Sequence, residues 1–563
     1  MQIYIYTLIV LLTLYSTSCQ DPDVLNPTVE RNAITSLRAT FTEGDYMEGN
    51  DGAANFELKI EDPTASEYII QIPRFFPESS DNTPDITKMR VRAELGANCT
   101  LSPGLDILDL TKDNYFTLTY PDGSSRQINI TGNLHDLTGT SIDYFEASSD
   151  VSGAFVVGYV NNETGIITLY SPDDLSDVTV NIEHYPHSTL AEEITGKKFN
   201  LNEPVSFTVT AHDGVTEKTY TTRRIENPAK VPYGISKESH RQMWSVNPGT
   251  LGVAWGTGST ALAVTNNHLV VSAGDGSTPI YLNKMTGRKI GTINLGDAKA
   301  TGSVANDNNE NLLIVNSAAP GETLNIFKTK SVTVAPTSFI SYANTTGTTI
   351  SRISVQGNID GDAVIVATCD ASNKIVRWNI VGGVVETPEI IAFSGVEWGA
   401  GTSNTQVTPL AVNKEDGYLL AYYDANKVFY VDGNTNAGTV KMNYSEGDSW
   451  GLNFSRLDVK IFNGARYFAL ASMTHFPHWG MEGKSYLYDA AVPSALDGDI
   501  PSSSALVFSA PITRNNVAEA GVSANGDIVL APSSNGYFMY MFCWDNNAKT
   551  IIAHSFDCIV AEE

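Results

Sequence analysis

The sequence predicts an all-β protein in which two small β-sandwiches precede a β-propeller. Three observations lead to this prediction. Tyr, Thr, Val, Asn and Gly are frequent and long runs of helix-forming residues are missing, a composition that favours strands and tight turns. A hairpin pattern occurs twice before residue 227, and a different strand repeat occupies the chain from about residue 240. A chain of 563 residues is also too long for one core, so several domains are expected.

The two predicted sandwiches, 34–133 and 134–226, end in similar hairpins. Tyr115–Tyr120 and Val205–Ala211 alternate apolar and polar residues, which is typical of half-buried strands. Each run leads through an Asp-Gly turn into a second alternating run. Glycine accepts the positive φ that such turns require, so this pattern is a strong hairpin signal. The two turns are Pro121-Asp122-Gly123 and His212-Asp213-Gly214.

These closing hairpins resemble those of immunoglobulin-like repeats that stand ahead of larger modules in bacterial surface lipoproteins, including a family of domains of unknown function. The resemblance covers about 34–226 and implies two immunoglobulin-like sandwiches. No Cys–Trp–Cys pattern is present, so antibody-type recognition does not follow. Residues 227–239 contain Pro228 and Pro232, and we predict a short linker that these prolines stiffen.

Residues 240–563 are predicted to form the propeller. An apolar strand, a turn rich in Asn, Asp and Gly, and a second apolar strand recur six times. Repeats of this length with several strands each are typical of propeller blades. We predict six blades, or seven if residues 240–262 and the C-terminus form another one. A strand near Gln242-Met243-Trp244 is expected to pair with the last blade and so to protect its edge. The repeats lie at 263–271, 304–315, 355–366, 411–420, 459–470 and 521–530.

One turn of the first repeat carries a family resemblance. Met285-Thr286-Gly287-Arg288-Lys289-Ile290-Gly291 resembles the Thr-Gly-Lys turn of YVTN and quinoprotein-like propellers. The resemblance implies the propeller fold. It does not imply a quinone, because the indole-docking Trp of that family is missing. We expect no cofactor.

The N-terminus, residues 1–18, is predicted to be a signal peptide. Ile3–Tyr15 is apolar but too short to span a bilayer, which takes about 20 residues. Ser16-Thr17-Ser18 before Cys19 resembles a lipobox, and the resemblance implies cleavage and acylation at Cys19. Two features depart from that pattern: residues 1–2 carry no Lys or Arg, and Ser16 replaces the usual Leu. The alternative is an ordinary secretory signal with an incidental cysteine.

The predicted tether, residues 19–33, begins with Cys19-Gln20-Asp21-Pro22-Asp23. Acidic residues directly after the lipid-bearing cysteine resemble the export signal of surface lipoproteins in gut-type Gram-negative anaerobes. The resemblance implies a lipid anchor in the outer membrane with the protein facing the cell exterior, and outer-membrane lipid as a partner of Cys19. The alternative is an outer-membrane location that faces the periplasm.

Charge and cysteine content exclude some classes of partner and bond. The net charge is −28, and the chain has no block of Lys or Arg, so we expect no nucleic-acid partner. The four cysteines beyond Cys19 are scattered, without a C-x-x-C motif, and are predicted to be buried apolar residues. We predict no disulfide between Cys543 and Cys558, because strand geometry would have to align both Cβ atoms.

Candidate ligand-binding residues are aromatic rings and histidines in Gly- or Asp-rich segments. Flat aromatic faces stack on sugar rings, and polar neighbours bond to hydroxyls. No motif predicts a catalytic residue or a metal site: Gly447-Asp448-Ser449-Trp450-Gly451 matches G-x-S-x-G but lacks the required strand–turn–helix context. The aspartates of the repeats, namely Asp307, Asp360, Asp362, Asp416 and Asp527, are predicted to be turn residues. The candidate ligand-binding residues are Trp255, Trp398, Trp450, His475, His478 and Trp479.

Three functions remain open at the sequence level. The anchor and the order of the modules resemble auxiliary glycan-binding lipoproteins that accompany outer-membrane uptake systems. This resemblance implies a non-catalytic, polysaccharide-binding surface protein, with an outer-membrane transport complex as a further partner. The first alternative is a propeller-type polysaccharide hydrolase or lyase, which would need convergent acids with shifted pKa values in an axial pocket. The second is an adhesion or scaffold protein that binds another protein and would present a broad apolar patch.

Overall fold

The computed structural model describes residues 33–50, 53–149, 154–237, 239–253, 259–265, 267–398, 405–422, 427–444, 454–473, 483–512 and 525–560. Strands dominate these residues, and the helices among them are short 3-10 turns, so the predicted all-β fold is confirmed. None of the described helices is long and apolar enough to cross a bilayer. The 3-10 turns are Pro248–Leu251, Lys414–Asp416, Pro493–Ala495 and Ile500–Ser502.

The chain divides into two compact units. The first comprises the described residues up to Ile142, His184–Glu193 and Ser206–Tyr220. The second comprises Asp143–Glu183, Ile194–Val205 and the described residues from Thr221 onward.

A β-sandwich forms most of the first unit. Its sheets have the strand orders β2-β1-β4-β6 and β3-β8-β7-β5, and side chains from both sheets share one apolar core. In β3 every second residue is buried, because a strand with one face on a core points alternate side chains inward. The strands are β1 (Ile34–Phe41), β2 (Phe56–Lys59), β3 (Glu67–Pro73), β4 (Met89–Leu95), β5 (Thr100–Ser102), β6 (Ile107–Leu108), β7 (Tyr115–Thr119) and β8 (Ser125–His135).

The next eight strands form a three-stranded sheet, β10-β9-β13, and a five-stranded sheet, β11-β12-β16-β15-β14. They are β9 (Ile142–Ser148), β10 (Phe155–Val157), β11 (Tyr159–Asn161), β12 (Ile166–Tyr170), β13 (Thr179–His184), β14 (Thr189–Leu190), β15 (Ser206–Thr210) and β16 (Glu217–Ile225). Both predicted Asp-Gly turns are confirmed. Asp122 accepts a hydrogen bond from the Ser124 N–H at 2.9 Å, and Asp213 accepts one from the Val215 N–H at 2.9 Å.

The remaining described strands form six antiparallel sheets. The strands are β17 (Arg241–Val246), β18 (Ala261–Thr265), β19 (His268–Ser272), β20 (Ile280–Asn283), β21 (Lys289–Thr292), β22 (Val304–Asn306), β23 (Leu312–Asn316), β24 (Thr323–Thr329), β25 (Thr337–Ala343), β26 (Ile350–Gly357), β27 (Ala363–Cys369), β28 (Lys374–Val381), β29 (Val384–Val385), β30 (Glu389–Ala392), β31 (Gln406–Pro409), β32 (Tyr418–Ala421), β33 (Lys427–Val431), β34 (Gly438–Asn443), β35 (Phe454–Phe462), β36 (Ala465–Met473), β37 (Lys484–Asp489), β38 (Leu506–Pro511), β39 (Gly526–Pro532), β40 (Phe538–Asp545) and β41 (Thr550–Asp557).

These sheets are arranged in a ring. Their first strands, β18, β22, β26, β31, β35 and β39, contact one another in this order, and β39 also contacts β18. A separate apolar cluster lies between each sheet and the next. Because both faces of each sheet pack on a neighbour, a strand such as β27 is buried along its whole length. This cyclic packing of antiparallel sheets is the architecture of a β-propeller.

The ring closes through the strand that the sequence predicted. β17 pairs antiparallel with β41, so the last sheet has the order β17-β41-β40-β39. Trp244 of β17 is buried in the cluster that joins this sheet to β18–β21, and its indole N–H donates to the Lys284 carbonyl at 3.0 Å. The N-terminal strand therefore holds the two ends of the propeller together.

The cysteine predictions are confirmed within the described residues. Cys99, Cys369, Cys543 and Cys558 are buried and form no disulfide. Cys543 lies in the apolar cluster between the last two sheets. Burial raises the pKa of its thiol well above the usual value, as expected for a cysteine that packs as a small apolar residue.

The pairing of β17 with β41 is expected to weaken in acid. His240 Nε2 and His554 Nδ1 are 3.0 Å apart, and burial together with His240 lowers the pKa of His554 to about 3. A folded-state pKa below the unfolded value of 6.5 means that the unfolded chain binds the proton first. Stability is therefore present above pH 6.5 and is lost as the pH falls towards 3.

Between about pH 7 and about pH 4 this histidine is expected to cost roughly 2–3 kcal/mol of the free energy of unfolding. Denaturant titrations at several pH values measure the loss. His554→Gln should lose less stability over this range than the parent chain, whereas the control His135→Gln, in the first unit, should follow the parent chain. An unchanged pH profile in His554→Gln would show that other groups cause the acid sensitivity.

Candidate functional site

The innermost strands of the propeller surround a small polar cavity. Its volume is about 40 Å³, which is room for about one water molecule and too little for a sugar ring. Its wall is rich in charged and amide side chains, although the strands that carry them are otherwise apolar. These polar lining residues are Asn306, Arg352, Gln406, Asp458, Lys460 and Asp527.

A buried ion pair crosses the axis. Arg352 of β26 and Asp527 of β39 are 3.3 Å apart from Nη1 to Oδ1, and their side chains are 3% and 6% exposed. Arg352 Nη2 also donates to the Thr260 carbonyl, and Asp527 Oδ2 accepts the Leu262 N–H at 2.7 Å. Buried charges are tolerated when they are paired and hydrogen-bonded in this way. The pair therefore joins three of the six sheets at the start of their first strands.

Two further charges lie beside this pair. Arg456 of β35 is fully buried; burial and the neighbouring Arg352 lower its pKa, and Asp527 and Asp370 oppose that effect. Burial raises the pKa of Asp370 to about 6, although Arg456 and Arg352 favour its charged form. We call Arg352, Asp370, Arg456 and Asp527 the axial charge cluster. It balances two guanidinium groups against two carboxyl groups.

Deeper in the cavity, polar side chains hold neighbouring strands together. Asp458 accepts the Leu530 N–H at 2.9 Å, and burial raises its pKa. Lys460 Nζ donates to Asn308 Oδ1 at 3.0 Å. Gln356 Nε2 donates to the Val459 carbonyl at 2.7 Å. Two of these hydrogen bonds run between first strands of different sheets, and the Lys460 bond joins β35 to the turn after β22. This part of the polar interior therefore stabilises the ring.

The axial charge cluster lies at the end of the propeller where the first strands begin, which we call the loop end. Arg456 is the third residue of β35 and Asp527 the second of β39. Met473 and its pairing partner Phe454 also lie at this end. In the sequence, one segment with predicted ligand-binding residues follows Met473 and another precedes Phe454. Five of the predicted ligand-binding residues lie outside the described residues: Trp255, Trp450, His475, His478 and Trp479.

The prediction that Trp398 contacts ligand is wrong. Its side chain is fully buried in the cluster between two sheets, and its indole N–H donates to the Cys369 carbonyl at 2.7 Å. The Trp398 backbone N–H donates to the Ser372 carbonyl at 3.0 Å. The Gly-rich sequence around Trp398 indicated an exposed loop, but these bonds fold the segment onto the sheet, where the indole fills the core.

The predicted turn role of the repeat aspartates is confirmed for Asp307. It accepts hydrogen bonds from the backbone N–H groups of Asn309, Asn311 and Ile359, at 2.9, 2.8 and 2.8 Å. The prediction is wrong for Asp527, because the residue lies on β39, inside the propeller. No three His, Cys, Asp or Glu side chains of the described chain form a group that could hold a metal.

Arg352, Asp370, Arg456 and Asp458 were missed by sequence reasoning. One signal was present: Arg456, Asp458 and Lys460 alternate with Leu457 and Val459 along a single strand. Period-two alternation indicates a half-buried strand whose second face points to solvent. In a first strand of a propeller, the second face points to the axis instead of to solvent.

Family and structure comparisons add no function. Family models described as Domain of unknown function (DUF5018) and Domain of unknown function (DUF8499) match residues 14–132 and 147–224. A search of the curated proteins found no match. The chain is similar to a solved DUF4623 family protein from Bacteroides eggerthii, with 15% identity and a TM-score of 0.44, covering 75% of this chain and 99% of that one.

Two other solved structures are more distant. Kuenenia stuttgartiensis hydrazine synthase has 13% identity and a TM-score of 0.30, covering 69% of this chain and 94% of that one. A putative phosphatase from Bacteroides thetaiotaomicron has 9% identity and a TM-score of 0.35, covering 80% of this chain and 95% of that one. Similarities this weak carry no argument about activity. The model of Domain of unknown function (DUF8500), in contrast, matches residues 242–557, which is more than half of the chain; the chain belongs to this family.

Proposed function

We propose that this protein is a cell-surface lipoprotein that binds polysaccharide at the loop end of its propeller without cleaving it. The observation that carries the proposal is the size and content of the axial cavity. A space of about 40 Å³ admits no sugar ring, and the charges around it are engaged with one another and with backbone groups. A polymer would therefore lie across the loop end instead of entering the axis.

The chemistry of the loop end suits such a ligand. The segments with Trp255, Trp450, His475, His478 and Trp479 carry the rings and imidazoles that would stack on sugar rings and bond to their hydroxyls. Acylated Cys19 would anchor the chain in outer-membrane lipid, since several acyl chains give a stable anchor. An outer-membrane transport complex is the partner to which a bound polysaccharide would be passed.

Two substitutions test the site. In a soluble chain that starts at Gln20, Trp450→Ala and Trp479→Ala are each expected to weaken polysaccharide binding at least tenfold, about 1.4 kcal/mol, because each removes a stacking surface. Calorimetric titration against a panel of polysaccharides measures this loss. Tyr115→Ala is the matched control, since it removes a ring that is 53% exposed in the first unit. Equal affinity in all the variants would contradict the assignment of the site.

One observation favours the alternative of a polysaccharide hydrolase or lyase. With a pKa of about 6, Asp370 keeps part of its population protonated near neutral pH, as a general acid does. The same panel separates the two functions. A non-catalytic binder leaves polysaccharide length unchanged over many hours, whereas an enzyme releases oligosaccharides and loses that activity in Asp370→Asn.

A further inference from the structure

The second unit contains a larger cleft that the proposed function does not use. Its volume is about 940 Å³, within the range of pockets that bind small molecules. One wall is the sheet that contains β11, β12 and β16; the others are the segment from Asn227 to Ser239, Arg241 of β17, and the chain around Asp557. We call it the Tyr159 cleft.

Backbone pairing holds one wall of the cleft in place. The Val231 N–H donates to the Cys558 carbonyl at 2.8 Å, and the Val560 N–H donates to the Ala229 carbonyl at 2.8 Å. The Ser236 N–H donates to the Asp557 carbonyl at 2.7 Å. The segment that was predicted as a linker therefore runs along the C-terminal residues of the propeller. A wall with this many main-chain bonds is preformed, which lowers the entropy cost of binding.

The charge in the cleft is opposite to that of the protein. Its described lining includes three cationic side chains and one carboxylate, whereas the whole chain carries a net charge of −28. The cationic residues are exposed, so their charge faces solvent and an incoming ligand. A cluster of this sign in an acidic protein attracts anions locally. The four residues are Arg223, Lys237, Arg241 and Asp557.

Two groups in the cleft are arranged for a polar ligand. The guanidinium carbon of Arg241 is 3.8 Å from the centre of the Tyr159 ring. Stacking on a ring fixes the plane of a guanidinium group while its N–H edge can still bind an oxyanion through two hydrogen bonds. The Tyr159 hydroxyl is buried and has no hydrogen-bond partner within the described part of the chain. A buried hydroxyl without a partner lowers stability, and a hydrogen bond from a ligand hydroxyl would remove that cost.

We propose that the Tyr159 cleft is a second binding site, for a short acidic oligosaccharide whose carboxylate or sulfate pairs with Arg241 and whose hydroxyls bond to Tyr159 and neighbouring amides. Neutral polar lining supports a sugar over a peptide, because Asn161, Thr164 and Asn227 offer the amide and hydroxyl groups that sugar hydroxyls pair with. The site is independent of the loop end and would exist even if the loop end bound nothing.

The test uses the soluble chain from Gln20 and three probes of equal length: a trigalacturonate, a sulfated trigalactoside and a neutral trigalactoside. At least one of the two acidic probes is expected to bind. Which of them binds distinguishes recognition of a carboxylate from recognition of a sulfate. The neutral probe should bind at least tenfold more weakly, and acidic binding should weaken as salt rises from about 50 mM to about 500 mM. Failure of both acidic probes to bind, or equal binding of the neutral one, would overturn the proposal.

Variants assign the site. Arg241→Gln is expected to weaken binding of the acidic probe at least tenfold, and Tyr159→Phe should weaken it several-fold without lowering the melting temperature. Arg38→Gln, an exposed arginine of the first unit, should have no effect. Lys237→Gln keeps the test valid if Arg241→Gln fails to fold.

Trp450→Ala should leave this binding unchanged, so failure here is distinct from failure at the loop end. Unchanged affinity in Tyr159→Phe and Lys237→Gln, or tighter binding of an oligoglutamate peptide than of either sugar, contradicts the proposal.

Discussion

Arg352→Met is expected to lower the free energy of unfolding of the second unit by about 3–5 kcal/mol. The substitution removes one partner of a buried ion pair and leaves the Asp527 carboxylate, whose side chain is 6% exposed, without its directly paired guanidinium group. It also removes the hydrogen bond to the Thr260 carbonyl. Because these contacts join three sheets, the whole ring should lose stability. Denaturant unfolding followed by tryptophan fluorescence measures the change.

A double-mutant cycle separates the ion pair from simple loss of packing. Asp527→Asn alone also leaves one charge unpaired, whereas the double variant leaves neither, so its loss should be smaller than the sum of the two single losses. Lys88→Met provides the control, because Lys88 and Glu43 form an ion pair whose side chains are 64% and 71% exposed. That change should cost less than about 1 kcal/mol. Additive losses in the cycle would mean that Arg352 and Asp527 do not interact energetically.

Trp398→Ala is the second substitution with a large expected effect, a loss of about 3–5 kcal/mol. The indole is fully buried and contacts Phe393 and Tyr422 at ring-centre distances of 6.5 and 6.4 Å. Its removal leaves a cavity between two sheets and takes away the indole hydrogen bond to the Cys369 carbonyl, which keeps the bond from the Ser372 hydroxyl. Thermal and denaturant unfolding measure this loss.

Trp398→Phe serves as the matched variant, since it keeps a ring in the core and loses the hydrogen bond and part of the volume. We expect it to cost less than Trp398→Ala. Polysaccharide affinity should be unchanged in either variant under conditions where it is folded. A Trp398→Ala chain as stable as the parent but unable to bind polysaccharide would restore the sequence-based assignment of Trp398 as a ligand-contacting residue.

The difference between Trp398 and Trp378 illustrates what local sequence can reveal about burial. Trp378 lies within an alternating apolar strand and is buried, as strand periodicity indicates. Trp398 is surrounded by Gly, Glu and Val in a segment without periodicity. Its burial depends on bonds to Ser372 and Cys369, residues about 26 to 29 positions away in the chain. No local pattern encodes a contact of that kind.

Short-range patterns in the sequence predict the all-β class and the Asp-Gly hairpins, because these depend on strand periodicity and on the backbone freedom of glycine. The strand that closes the ring was predictable for another reason, since the last blade needs a partner that protects its edge. Which polar residues meet at the axis depends on long-range packing that no local pattern encodes. Arg352, Asp370, Arg456 and Asp527 come from three sheets and are separated by up to 175 residues. Ring closure brings them together, and burial then changes their pKa values. The Tyr159 cleft has the same origin, since its walls come from strands and a proline-containing segment that only the folded chain places side by side.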